Sequence, residues 1–308
     1  MKILSYFSIL GISKIILGVI VARIVLSYAI ETFINTFLYK SKSRNSPSRR
    51  PEGNIKGKRS PSEYGWDYEE LNLRTKDEVL LHGWFIKQAK DAEHCPTFIM
   101  FHGIGGNIGA RLPYIKHLYE KSHVNVIIID YRGYGNSQGS PSEKGIEIDA
   151  ETTLDWALDN PTVDNSKIFI HGRSLGGGVA INLCSKRQND IQGLIIENTF
   201  KSFNHVASGF LPSILKLIPH LLCRRFWPSI KHIKHLRIPI LFVSGRKDRL
   251  ISYKQMDELY DKAVKSVHKI KCEIPNGKHG GTWKVDLKKY FKYMNEFLSH
   301  SLELTNKN

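Results

Sequence analysis

From Tyr64 onward, short and nearly continuous apolar runs alternate with longer segments in which apolar and polar positions are mixed. "TFIMFHG" from Thr97, "NVIIIDYRG" from Asn125, "KIFIHGRS" from Lys167, "GLIIENTF" from Gly193 and "PILFVSGRKD" from Pro239 are rich in β-branched and aromatic residues. Such runs predict central strands of a parallel sheet, covered on both faces. "YEELNLRT" (68–75) and "VLLHGWFIK" (79–87) predict an opening hairpin, and the more polar "HKIKCEIP" (268–275) an edge strand. Helices are predicted around Ala110–Lys121, Glu147–Leu158, Ser174–Arg187, Tyr253–Lys265 and Val285–Leu298. The alternation means βαβ units, and therefore an α/β fold with a mostly parallel, doubly wound sheet of about eight strands. Ligands of such sheets bind beyond the carboxyl ends of the strands, so the loops that follow strands are where chemistry belongs.

Two segments break the rhythm. Residues 201–236 are apolar and basic, interrupted by Pro212, Pro219 and Pro228, and predict a small helical cap inserted into the domain at 64–303; an ordinary crossover helix with proline ends is the alternative. Residues 1–39 predict a membrane anchor. Its best span is 3–22, where twelve residues are Ile, Leu, Val or Phe. Each contributes about −0.3 to −0.6 kcal/mol on an insertion scale, against roughly +3 for Lys14. A mitochondrial presequence is the rival, because residues 1–30 carry Ser and Lys/Arg but no acid; a cleaved signal peptide fits less well, since no small-x-small site closes the apolar stretch. Residues 40–63, "KSKSRNSPSRRPEGNIKGKRSPSE", bury too little to fold alone and predict a flexible basic linker.

Charge sharpens this picture. Of the formal +16, residues 1–60 contribute +9. No nucleic-acid recognition motif accompanies the basic run, so no nucleic-acid partner is expected. Basic residues after an apolar span favour a cytosolic domain beside anionic headgroups, and hence a single-pass protein of the endoplasmic reticulum, another endomembrane or the plasma membrane. Cys95, Cys184, Cys223 and Cys272 match no metal spacing and are expected as free thiols. The sequence carries no signal for oligomeric state.

Candidate chemistry gathers in the loops. In "FIHGRSLGGGVAIN" (169–182), Ser174 sits between Gly172 and Gly176 at a predicted strand-to-helix junction. A sharp turn there would lift the hydroxyl above the sheet and aim the amides of the helix N-terminus at the same point; a turn made of small residues only for packing is the bland reading. "FHGIGGNIG" (101–109) follows an earlier strand and can supply an oxyanion-binding N–H at Ile104, with the second from Leu175. A dinucleotide loop is excluded by Ile108 and Gln138, which stand where a third glycine is needed. In this fold an acid and then a histidine follow the serine. Asp248 in "GRKDRL" and His279 in "PNGKHGGTW" both follow strands; Glu197 is the alternative acid. Of the seven histidines after Ser174, only His279 lies in a glycine-flanked loop directly after a strand. "DYRGYGNSQGSPSEKG" (130–145) reads as a structural turn fixed by Asp130 and Arg132, with Tyr131 or Arg132 as possible substrate contacts.

"HGIGGNIGAR", "DYRGYGNSQGSPSEKG", "GRSLGGGVA", "IENTF", "SGRKD" and "GKHGGTW" occur in order and resemble the fungal bud emergence protein 46 family and its animal relative, the alpha/beta hydrolase domain-containing protein 13. The resemblance covers about residues 64–300. It implies an α/β-hydrolase fold, an N-terminal membrane anchor and a triad at Ser174, Asp248 and His279, in a family treated as serine hydrolases with links to membranes and cell polarity. Two departures stand out. Ile104-Gly105 replaces an Asn-Ala pair, which a backbone amide tolerates; Gly280-Gly281 replaces Asn-Asp after the histidine, which removes hydrogen-bonding partners and predicts a more mobile His279. The expected activity is cofactor-free hydrolysis of a carboxylic ester or thioester in a small molecule, an acyl lipid or an S-acylated protein. A non-catalytic membrane scaffold is the alternative, and a peptidase a weaker one.

Overall fold

The computed structural model describes residues 11–25, 28–29, 32, 49–209 and 226–305. Eight strands form one sheet: β1 (Asp67–Arg74), β2 (Leu80–Lys87), β3 (Thr97–Phe101), β4 (Asn125–Ile129), β5 (Ile168–Arg173), β6 (Gly193–Glu197), β7 (Ile240–Gly245) and β8 (Lys269–Ile274). Their spatial order is β1-β2-β4-β3-β5-β6-β7-β8. The pairs β1–β2 and β2–β4 are antiparallel and the rest parallel. All eight strands read from the apolar runs are present.

The helices are α1 (residues 11–25), α2 (Leu112–Ser122), α3 (Glu143–Asp159), α4 (Leu175–Arg187), α5 (Phe203–Gly209), α6 (Ser229–His232), α7 (Lys254–Lys262), α8 (Thr282–Val285) and α9 (Leu287–Thr305). Boundaries moved where caps decide them. Ser142 accepts a hydrogen bond from the Gly145 amide and starts α3 four residues before the predicted onset. The last predicted helix is split, with α8 ending before Asp286 and α9 running on to Thr305.

Period-two alternation along the central strands builds two cores. Ile99, Phe101, Ile170, Ile196 and Phe242 face α3, α4 and α7; Phe98, Met100, Phe169, Ile195 and Leu241 face α2 and α9. With both faces covered, the carboxyl ends of the parallel strands are left to carry loops: Ile104 follows β3, Ser174 and Leu175 follow β5, Asp248 follows β7 and His279 follows β8.

The stretch read as a flexible linker is described from residue 49, and there it is docked on the domain. Arg49 Nη2 donates to Gly133 O (3.2 Å), Asn136 Nδ2 to Glu52 Oε1 (2.8 Å), and Asn54 Nδ2 to Asn107 Oδ1 (2.8 Å). Short 3₁₀ turns at Pro51–Gly53 and Pro61–Tyr64 hold its shape. Polar side chains, not an apolar face, attach this segment, so hydrophobic patterning gave no sign of it. Within the cap, α5 and α6 are present; Phe203 N at the start of α5 donates to Phe226 O (2.9 Å), just before α6, and Ile230 N in α6 donates to Lys201 O (2.9 Å), just before α5; residues 210–225 lie outside the described ones.

Residues 3–10 of the predicted span also lie outside the described residues. The remainder falls in α1, whose apolar residues, Ile12, Ile15, Ile16 and Val19 among them, are exposed. Among the described residues no helix is long and apolar enough to cross a membrane.

Candidate active site

Ser174 joins the end of β5 to the start of α4 with φ 56° and ψ −120°. That conformation is strained for a residue with a side chain, by roughly 1–3 kcal/mol, and the surroundings impose it. Ser174 N donates to Glu197 O (3.0 Å), while Ser174 O accepts from Gly177 N (3.0 Å) and from Thr199 Oγ1 (2.7 Å). The flanking glycines are sterically required: a Cβ on Gly172 would stand 2.2 Å from Gly176 O, and one on Gly176 1.8 Å from Phe101 O. The tight-packing and exposed-hydroxyl readings of this turn are thus one arrangement, since α4 can press against β3 and β5 only by turning sharply at the serine.

Three residues from three loops converge. His279 Nε2 lies 3.1 Å from Ser174 Oγ, and His279 Nδ1 lies 2.7 Å from Asp248 Oδ2. The other Asp248 oxygen accepts from the amides of Leu250 (2.8 Å) and Ile251 (2.9 Å), which orients the carboxylate toward the ring. The Asp248 side chain is 1% exposed and that of His279 20%, so the acid is sealed while the imidazole reaches the solvent edge. Glu197 does not approach the imidazole. Its Oε2 accepts from Tyr290 Oη (2.8 Å), and its backbone carbonyl holds the serine turn.

The loop after β3 meets the same point. Gly103 is so close that a Cβ there would stand 3.3 Å from Ser174 Cβ. His102 braces this loop: its Nδ1 bonds Gly103 O (2.7 Å), and Tyr131 Oη donates to His102 O (3.0 Å). Burial, aided by the nearby Arg111 charge, pushes the His102 pKa down to about 3, so the ring is neutral at ordinary pH. Further along, Asp130 Oδ1 accepts from Ile108 N (3.0 Å). Arg132 is held by Asp149 (2.8 Å) and Asp77 (2.7 Å). Tyr131 and Arg132 are structural, and neither lines the cavity at the serine. Leu175, as the first residue of α4, has no carbonyl one turn earlier to receive its N–H.

That cavity is about 460 Å³ and mostly apolar, walled by Ile104, Leu175, Phe200, Phe203, Val206 and Ile251, with Ser174 and His279 at its edge. Its size and character suit a small organic ligand or an acyl chain.

Two site residues escaped the sequence reading. Asn198 Nδ2 donates to Lys278 O (3.1 Å), His279 O (3.2 Å) and Thr282 Oγ1 (2.7 Å), while Asn198 Oδ1 accepts from Gly245 N (2.8 Å). Thr282 Oγ1 in turn donates to Lys278 O (2.9 Å). The loop that lost its Asn-Asp pair is therefore fastened from β6. The signal for Asn198 was a polar residue directly after an apolar strand in "GLIIENTF"; Thr282 had none.

Residues 96–221 match the family described as alpha/beta hydrolase fold. Protein bem46 of Schizosaccharomyces pombe is 36% identical over 280 residues, which cover 89% of this chain and 91% of that protein. The chain belongs to the bem46 family of α/β-hydrolase-fold proteins. YNL320W of Saccharomyces cerevisiae, described as an uncharacterized membrane protein, is 33% identical over 88% of this chain and 92% of its own length. Among solved structures, the Pyrococcus furiosus esterase Pf2001 superposes with a TM-score of 0.64 at 23% identity, covering 78% of this chain and 95% of that one. That likeness is one of fold.

Proposed function

We propose that this bem46-family protein is a serine hydrolase that cleaves carboxylic esters or thioesters through an acyl-enzyme, and that its N-terminal segment tethers it to a membrane. The observation that carries the reading is the unbroken hydrogen-bond chain from Ser174 Oγ through His279 to Asp248, set on a strained turn at the edge of an apolar cavity. His279 Nε2 takes the hydroxyl proton as Ser174 Oγ attacks the acyl carbon, and the carbonyl electron pair moves onto oxygen. The amides of Ile104 and Leu175 receive that oxyanion. Its collapse expels the alcohol or thiol, which leaves with the proton from His279. Water then attacks the acyl-serine by the same steps, giving a carboxylic acid and free Ser174.

The apolar cavity favours an acyl chain, as in an acyl lipid or an S-acylated protein. The exposed apolar side chains of α1 and the description of YNL320W as a membrane protein favour the tether. The esterase named among the fold neighbours is consistent with the chemistry. The test is hydrolysis of p-nitrophenyl butyrate by the full-length protein. Ser174→Ala is expected to lower kcat/KM by at least about a thousandfold and Asp248→Asn by about 10⁴-fold. Equal rates in the wild type and Ser174→Ala would remove the serine from the reaction.

A further inference from the structure

A second cavity, of about 210 Å³, adjoins the first and shares Gly103, Arg111 and Arg173 with it. Its lining differs in kind. Lys58, Arg111, Arg173 and Lys284 face it with one carboxylate, Glu197, a formal excess of three positive charges. Lys58 comes from the docked N-terminal segment and Lys284 from α8, so the pocket is assembled from distant parts of the chain.

The two arginines form no ion pair among the described residues, although the more distant Asp130 charge acts on Arg111. Among the described residues neither stands within ion-pair distance of a carboxylate, although Arg173 is the register partner of Glu197. Arg111 donates to the carbonyls of Gly103 and Gly105, and its Nε has no partner; the Arg173 Nε has none either. His102 Nε2 and Glu197 Oε1, both acceptors, are also buried and unpartnered, in residues 3% and 1% exposed, and would take a proton-bearing oxygen of a ligand. Arg173 Nη2 lies 3.5 Å from where a Cβ on Gly280 would stand, which sets the guanidinium beside the His279 loop. Both arginines are half-buried, but their Nε atoms are cut off from water, where an N–H ordinarily has a partner. The guanidiniums also oppose each other, and burial together with the Arg173 charge holds the Arg111 pKa down to about 10. An anion in this pocket would satisfy the two arginines and their idle Nε donors together.

We infer that this pocket is a subsite for the phosphate group of the substrate, so that the protein acts on acyl esters of a phosphorylated alcohol. The inference rests on the acyl-hydrolase reading of Ser174. A phosphomonoester carries close to two negative charges and three strong acceptor oxygens, matching two planar guanidiniums flanked by two ammonium groups better than a single carboxylate does. The acyl chain occupies the apolar cavity, the ester lies at Ser174 between the cavities, and the phosphate lies among the cations. Acyl transfer to Ser174 releases the phosphorylated alcohol with the proton from His279.

The test compares 1-hexanoylglycerol 3-phosphate with 1-hexanoylglycerol, a soluble pair that differs only in the phosphate, using the full-length chain. The phosphate ester is expected to show a kcat/KM about 10- to 100-fold higher. That ratio should fall toward 1 in Arg173→Gln, and by several-fold in Lys284→Gln, an exposed position where folding is not at stake. Equal kcat/KM for the two esters, or a preference that survives both substitutions, would overturn the inference while leaving the hydrolase reading in place. The non-hydrolysing Ser174→Ala separates the two ideas: tighter binding of the phosphate ester, lost on adding Arg173→Gln, upholds the subsite even if the wild type turns over neither ester. Inorganic phosphate is the control. Competitive inhibition of neutral-ester hydrolysis by phosphate, with no preference between the esters, would mean that the pocket takes free phosphate and would overturn the substrate assignment.

Discussion

Asn198 holds His279 from the end of β6, two strands away, its Nδ2 donating to the histidine's own carbonyl at 3.2 Å and to Thr282 Oγ1 at 2.7 Å. The general base is thus positioned through its backbone as well as through Asp248. Asn198 has φ 45°, so glycine can replace it without added backbone strain. Asn198→Gly is expected to reduce kcat about tenfold or more, since loss of such bonds amounts to about 1–3 kcal/mol. Stopped-flow ester hydrolysis beside a circular dichroism spectrum checks this; unchanged kcat in a folded variant would show that the loop holds itself.

The glycines around the serine make opposite predictions. A Cβ on Gly176 would lie 1.8 Å from Phe101 O, whereas nothing stands within 4 Å of a Cβ on Gly105. Gly176→Ala is expected to destabilise by about 3 kcal/mol or to prevent folding, and Gly105→Ala by less than about 0.5 kcal/mol. Urea midpoints of the two variants decide between them.

The buried histidines tie stability to pH. Burial first, and the Arg173 charge second, push the His171 pKa down to about 3, matching His102. Both are depressed bases: between pH 6.5 and 3 the unfolded chain binds protons that the folded one does not, so stability falls as pH falls through that window. The expected slope is about 1.4 kcal/mol per pH unit for each histidine well below pH 6.5. Urea titrations between pH 7 and 5 should read this contribution, and His171→Gln should remove up to about 1.4 kcal/mol per pH unit of it.

The docked segment makes a fourth prediction. Asn54 Nδ2 donates to Lys58 O (2.7 Å) and Asn107 Oδ1 (2.8 Å), and Asn107 caps the turn that leaves the loop beside Ser174. Asn54→Ala should lower stability by about 1–2 kcal/mol. Proteolysis at the lysines and arginines of 49–59 should also quicken, because this side chain is one of the few groups that tie the segment to the loop beside Ser174. A variant with wild-type stability and cleavage rate would return the segment to a linker.

The strands and the candidate triad were legible because their signals are local. Apolar runs mark β3 to β7; Ser174 and Asp248 each sit a few residues beyond such a run, and His279 beyond the more polar β8, where this fold exposes side chains. What was not legible depends on adjacency in space. Asn198 gains its role only when β6 comes to rest beside the loop at 278–282. Arg173 stands between Gly172 and Ser174 and Arg111 just inside the helix predicted from Ala110; no local pattern marks either, and only the fold brings both to one cavity. The attachment of residues 49–63 runs through amide and guanidinium side chains, which leave no periodic trace.

The central claim is that Ser174 is an activated nucleophile. The measurement that meets it most directly is reaction of the full-length protein with a fluorophosphonate probe, followed by peptide mapping of the adduct. Labelling at Ser174, absent from Ser174→Ala and strongly slowed in His279→Ala, is the predicted result. A folded wild-type protein that stays unlabelled would contradict the account and favour a membrane scaffold that keeps the hydrolase fold without its chemistry.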